Sequence, residues 1–285
     1  MSERTVKRLV RGFPAVDGAG VHLVRVLGHE TVKDFDPFLM LDSFDSANPE
    51  DYIAGFPMHP HRGIETITYL IRGEIDHEDS LGNAGRIRDG QSQWMTAGSG
   101  ILHQEMPQPT ERLLGAQLWL NLPAAEKMAE PRYFDITKNM IGEKQTADAT
   151  VRVLAGEYGD VKGAKPYHIQ ATYYDVAVKP GKSITIDTKA GETVFIFLIE
   201  GDAVITGDRI PEKTAVLFGE GDRITAAAPK DGPSRFLFLS GKPLGEEIAW
   251  GGPIVMNTRT ELFKAFQELE EGTFIKHKAA PPKEN

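Results

Sequence analysis

His59-Pro60-His61 and His103-Gln104-Glu105 are the two stretches on which the reading of this chain turns. Each carries its metal-ligand side-chain types at positions i and i+2. In an extended strand alternate side chains share a face, so each stretch presents both of its groups on one side of a sheet. Two such strands side by side offer three imidazoles and a carboxylate to one point, a donor set suited to a divalent metal ion. The chain has only eight histidines, and three of them lie here. Packing alone accounts poorly for this grouping, because buried imidazole and carboxylate without partners are costly. Pro60 belongs at a strand start, edge or bulge, which puts the first pair at the mouth of a strand, where a ligand can enter.

Working outward, the grain is β throughout. Val21–Leu27, Phe35–Phe44 and Glu65–Ile71 are rich in β-branched and aromatic residues. Glu74–His77 and Gly85–Ile87 flank Ser80–Gly85, a hairpin composition, and Asp89-Gly90 turns into Gln91–Met95. Ala116–Leu122 is a further apolar strand. Many short strands punctuated by glycine argue for a barrel or sandwich.

After Pro123 the pattern weakens, and a domain boundary is expected near residue 135. A second series follows: Val151–Ala155, Thr172–Val178, Ser183–Ile186, Thr193–Ile199, Ala203–Thr206, Ala215–Phe218 and Arg235–Ser240. Its spacing echoes the first, which suggests an internal duplication. Residues 1–135 are thus expected to form a metal-binding barrel, and 136–285 a second barrel ending in a helix. That helix opens on Thr258-Arg-Thr-Glu261, a capping box. Leu262, Phe263, Phe266 and Leu269 form its apolar stripe, and Gly272 suits the position just past its end. Residues 279–285 read as a frayed tail.

The chain has 285 residues, 40% of them hydrophobic and 26% charged, enough material for two cores. It contains no cysteine, which excludes disulfides, thiolate ligands and cysteine nucleophiles and fits a cytoplasmic setting. A net charge of −9 argues against direct nucleic-acid binding. No stretch approaches the length of a membrane span, and Met1–Val10 lacks the apolar run of a signal peptide.

Strand parity leaves the carboxylate open. Glu65 lies four residues past His61 and shares its face in an unbroken strand, while Glu105 shares the face of His103. Whichever does not bind is expected to hydrogen-bond a ligating imidazole.

Phe35–Phe44, Phe56–Gly63, Gln93–Pro107, Leu118–Leu122 and Gly251–Asn257 together resemble the pirin family. The resemblance spans residues 20 to 270 and implies a bicupin, two tandem cupin β-barrels with metal in the first alone. It implies His59, His61, His103 and Glu105 as the ligands, and so favours Glu105 over Glu65. His168 and His277, the histidines of the second half, stand apart from any paired spacing. His22, His29 and His77 are expected at solvated strand or loop positions.

The resemblance also implies a function. Several pirin-like proteins cleave flavonols such as quercetin with O2. Here that would make the chain a dioxygenase with one divalent ion, Fe(II) first among Ni, Mn, Co, Cu and Zn. Glu105 would take the flavonol's 3-hydroxyl proton as catalytic base, and O2 would cleave the C2–C3 bond with loss of carbon monoxide. Phe44, Phe56, Trp94 and Trp119 are candidate walls for the flat substrate. The competing reading is an iron-dependent redox regulator that acts through a protein partner, a transcription factor or a metabolic enzyme. A purely structural metal is the third.

Overall fold

The structure is a computed structural model and describes residues 2–277; the tail expected at 279–285 lies outside the described residues. Strands dominate it. The helical segments among the described residues are Val32–Phe35, three short 3-10 turns and Arg259–Glu270. The strand expected from Phe35 begins at Phe38, because the Val32–Phe35 turn occupies its start and stops before Pro37.

The chain divides into two compact units that are each discontinuous in sequence. One comprises the chain up to Phe13, Val24–Ser43 and Ile136–Pro243. The other comprises Pro14–Leu23, Phe44–Asp135 and the chain from Leu244 on. The main crossing falls at Asp135/Ile136, but each terminus is grouped with the half remote from it in sequence. An end-to-end division at residue 135 does not describe that exchange. The reason is that a strand pairs with whichever edge offers free N–H and C=O groups, at any sequence distance.

In the unit built around Ile136–Pro243, Val6–Arg11 adds to the edge of a seven-stranded sheet by pairing antiparallel with Thr214–Phe218. Arg4 secures it from the adjoining turn. Its guanidinium donates to the Gly219 carbonyl at 2.6 Å, the Thr188 hydroxyl at 2.7 Å and the Lys189 carbonyl at 2.8 Å. The second sheet has four strands, in the order Ser183–Asp187, Arg223–Ala227, Ala203–Ile205, Asp208–Ile210. Alternation puts Val151, Val176, Ile196 and Phe238 of the large sheet into one apolar core with Ile184, Ile186, Ile205 and Ile224 of the small one.

The unit that carries His59 has a four-stranded sheet in the order Phe56–His61, Ile101–Pro107, Glu74–Asp79, Ala84–Arg88. Opposite runs Arg132–Ile136, Gln91–Thr96, Ile64–Arg72 and Leu113–Asn121, neighbours in that order. Phe44, Tyr52, Leu70, Ile75, Ile87 and Leu113 belong to its apolar cluster.

The C-terminal helix belongs to this second unit. Its capping box is formed: Glu261 N donates to the Thr258 hydroxyl at 3.2 Å, and Thr258 N to the Glu261 carboxylate at 2.8 Å. Gly272 follows with φ +70°, the left-handed conformation that glycine adopts without strain. The expected stripe is narrower than its sequence. Leu262 and Leu269 pack against Ile254, Met256, Ala265 and Phe274. Phe263 is 72% exposed, because it lies one residue, about 100°, round the helix from Leu262.

Candidate metal centre

The two histidine stretches are hydrogen-bonded neighbours. The Phe56–His61 and Ile101–Pro107 strands pair antiparallel, with His103 directly opposite His59 and Ile101 opposite His61. A register shift between His103 and Glu105 then sets Glu105 against Phe56. On its other side the same strand pairs with Glu74–Asp79, so that Glu105 faces His77 across the ladder.

His59, His61 and His103 bring one ring nitrogen each to within 4.8 Å of one another. Their ring centroids are 4.4, 4.8 and 4.9 Å apart. The outward nitrogens are already engaged. His59 Nδ1 lies 2.8 Å from the Pro57 carbonyl and His61 Nδ1 lies 3.1 Å from the Pro253 carbonyl. A carbonyl can only accept, so both Nδ1 atoms carry protons, and in a neutral ring Nε2 is then a bare lone pair. His103 Nδ1 has the Tyr133 hydroxyl at 3.4 Å.

The inward nitrogens are therefore unsatisfied. His59 Nε2 and His61 Nε2 stand 3.1 Å apart as two lone pairs, and buried His103 Nε2 has no hydrogen-bond partner. Protonation of the two buried rings is disfavoured. Burial, and then the charge His59 would carry, push His61 down to about 3. Burial, and then the neighbouring His61, His59 and His77, hold His103 well below the usual imidazole range. Three convergent imidazoles, two of them with Nδ1 protons fixed on backbone carbonyls, fit a divalent cation.

Both candidate carboxylates are buried, with different surroundings. Glu105 Oε1 accepts from the Thr68 hydroxyl at 2.8 Å and Oε2 from Gln117 Nε2 at 2.6 Å. Gln117 in turn accepts from Trp119 Nε1 at 3.2 Å, and the Trp119 ring stands edge-on to His61 at 4.9 Å. Glu65 accepts from the Thr96 hydroxyl at 2.8 Å. Its parity with His61 fails because the strand is broken: Phe56–His61 ends, the chain turns at Gly63, and a new strand starts at Ile64. On that strand Glu65 has the opposite parity to Thr68, which bonds Glu105, and so faces the other way.

Gln93, Thr68 and Gln117 lie directly across from one another on three adjacent strands, forming one polar row on the inner face. Gln93 Nε2 lies 2.6 Å from His77 Nε2, and the His77 ring stacks on Tyr133 with centroids 5.5 Å apart. His77 is thus buried, at 5% exposure, and not at the solvated position expected for it. Burial lowers its pKa against the opposing pull of Asp135, Glu105, Asp79 and Asp76. Its parity with Ile75 and Asp79, also buried, was the available signal. His22 and His29 are exposed, and His168 and His277 half-buried, all four away from the cluster.

Of the expected walls, Trp119 is beside His61. Trp94 has the opposite parity to Gln93 and faces away. Phe44 and Phe56, 6.2 Å apart, are packed with the apolar cluster. Sequence reading missed Trp250, whose ring is 6.0 Å from Trp119, and Tyr133, Gln93, Thr68 and Gln117. Their roles depend on strand register, which no local pattern encodes.

Residues 20–120 match the family model described as Pirin, and residues 173–275 the one described as Pirin C-terminal cupin domain. The chain belongs to the pirin family. A Pseudomonas aeruginosa protein provisionally named a quercetin 2,3-dioxygenase is 42% identical over 280 residues, covering 94% of this chain and 97% of that protein. Human pirin is 39% identical over 259 residues, covering 89% of this chain and 88% of its own length. The crystal structure of quercetin 2,3-dioxygenase from Acinetobacter baumannii superposes with a TM-score of 0.87 at 32% identity, covering 96% of this chain and 99% of that one. The two β units are accordingly two cupin domains, and the fold is all-β with a short C-terminal helix. Among the described residues no helix is long and apolar enough to cross a membrane.

Proposed function

We propose that the chain is a metal-dependent dioxygenase that cleaves a flavonol such as quercetin with O2, at a mononuclear site held by His59, His61, His103 and Glu105. The observation that carries this reading is the convergence of three imidazole rings, two of which have their outward protons held by backbone carbonyls while the inward nitrogen of the third has no partner. The kinship with proteins named quercetin 2,3-dioxygenases supports the substrate class.

A divalent ion, Fe(II) first, would supply Lewis acidity at the flavonol's 3-hydroxyl and 4-carbonyl oxygens and the one-electron chemistry that reaction with O2 requires. The chain's own groups do the rest. Glu105 takes the 3-hydroxyl proton, and the Thr68 and Gln117 donors keep its carboxylate aimed. Trp119 and the part-exposed Trp250 offer flat surfaces beside His61 for an aromatic substrate. Half-buried His59 is the most accessible of the three histidines and marks the open side. The lack of cysteine is in keeping with work in a reducing cytoplasm.

The test is anaerobic loading with Fe(II), then quercetin and O2, following loss of the flavonol absorbance and release of carbon monoxide. Metal-dependent loss with carbon monoxide supports the oxygenase. Stoichiometric metal binding without turnover, across the divalent series, would overturn it.

A further inference from the structure

Arg62, next to the ligand candidate His61, has a role that its position in the sequence does not show. Its side chain is buried, at 2% exposure, and every group on it is engaged. Nε donates to the Ser99 carbonyl at 2.7 Å and Nη2 to the Phe274 carbonyl at 2.8 Å. Nη1 pairs with Glu268 Oε2 at 2.8 Å, and the guanidinium lies 4.1 Å from the centre of the Phe274 ring. Glu268 is on the C-terminal helix and is held again by Lys276 at 2.8 Å. Removing one partner of a buried ion pair leaves a charge uncompensated, so this is a junction that resists opening.

The surrounding backbone follows the same line. Val255 N donates to the Arg62 carbonyl at 3.1 Å, and Ile254 bridges Arg62 in parallel. One residue earlier, the Pro253 carbonyl takes the His61 Nδ1 proton. On the second ligand strand, Leu102, beside His103, packs against Ile254, Met256 and Phe274. The segment from Pro253 to Lys276 therefore grips both ligand strands within a single unit. It also supplies the acceptor that turns the His61 lone pair inward.

We infer that Arg62 is a positioning residue, and that through it the C-terminal helix sets the metal affinity of a centre whose histidines all lie in the first half of the chain. The inference rests on the reading of those histidines as metal donors. Loosening the junction frees Pro253 from His61 and lets the imidazole rotate or change tautomer, as loss of an outer-shell partner does elsewhere, at a cost of about 10–100-fold in affinity.

The test measures Co(II) affinity by competition with a chelator, together with the visible spectrum of the Co(II) form, for the full chain, Arg62→Met and Glu268→Gln. The thermal midpoint of each metal-free protein is recorded alongside. Arg62→Met is expected to weaken Co(II) binding at least about tenfold, and Glu268→Gln by a smaller factor in the same direction, with the spectrum altered in both. Glu268→Gln keeps the size and shape of the side chain and removes only its charge, so it decides the matter if Arg62→Met does not fold. Variants that lose thermal stability but keep the parental Co(II) affinity and spectrum would overturn the proposal, because the junction would then be structural alone. If the parent chain itself does not bind Co(II), the metal reading falls and this proposal falls with it.

Discussion

His59 and His61 face each other through their Nε2 atoms, 3.1 Å apart, while both Nδ1 atoms are held by backbone carbonyls. Two bare lone pairs at that separation repel, and a cation between them relieves the repulsion. The chain is expected to bind one divalent ion. At a free concentration about 100 times Kd, binding stabilises the fold by about 2.7 kcal/mol. His103→Ala is expected to abolish most of that gain. Calorimetric titration with Co(II) or Fe(II), with melting curves before and after chelation, checks both statements.

Acid should unfold the metal-free chain through these rings. The folded pKa of His61 is about 3 against an ordinary 6.5, so the unfolded state binds more protons between those values. Stability is therefore fully present above pH 6.5 and is lost as pH falls below it, by about 1.4 kcal/mol per pH unit for this one group. Urea unfolding at pH 7 and pH 5 measures the slope. His61→Asn should flatten it, and an unchanged slope would show that His61 remains solvated in the folded chain.

The Thr68–Glu105–Gln117 contacts make a separate prediction. Gln117→Leu removes a 2.6 Å donor from a buried carboxylate. The cost to stability is expected to be about 1–3 kcal/mol. Quercetin turnover should fall about tenfold or more while the protein still takes up one metal ion. Steady-state rates and metal content measured on the same preparation separate the two effects.

Gly63 is a backbone requirement. Its φ is +76°, and a Cβ there would lie 2.0 Å from the Val255 carbonyl oxygen. Gly63→Ala is expected to cost about 2 kcal/mol or more, from strain and from the displaced Val255 strand. Gly232, with nothing within 4 Å and an ordinary φ, is the control: Gly232→Ala should be close to neutral. Denaturant midpoints of the two variants make the comparison.

Much of this architecture is legible in local pattern. Thr172–Val178 reads from its β-branched and aromatic residues with the limits that the structure shows, and the Thr258–Glu261 box marks where the helix begins. The spacing of His59, His61 and His103 is enough to nominate a metal centre. Val6–Arg11 is harder to read, because its partner Thr214–Phe218 is some two hundred residues away and its own pattern is weak. Glu65 and Glu105 look equivalent by parity, and only the break at Gly63 separates their faces.

The sequence by itself determined the residue types, their alternation and the two dyads, because these depend on side-chain chemistry and the two-residue period of a strand. Tertiary structure decided which nitrogen of each imidazole points inward, since that depends on carbonyls at Pro57 and Pro253 and on the Tyr133 hydroxyl. It also decided that the C-terminal helix and Arg62 stand behind the centre. Hydrogen bonds and buried ion pairs are satisfied wherever the folded chain brings donor and acceptor together, and no local pattern records a partner two hundred residues away.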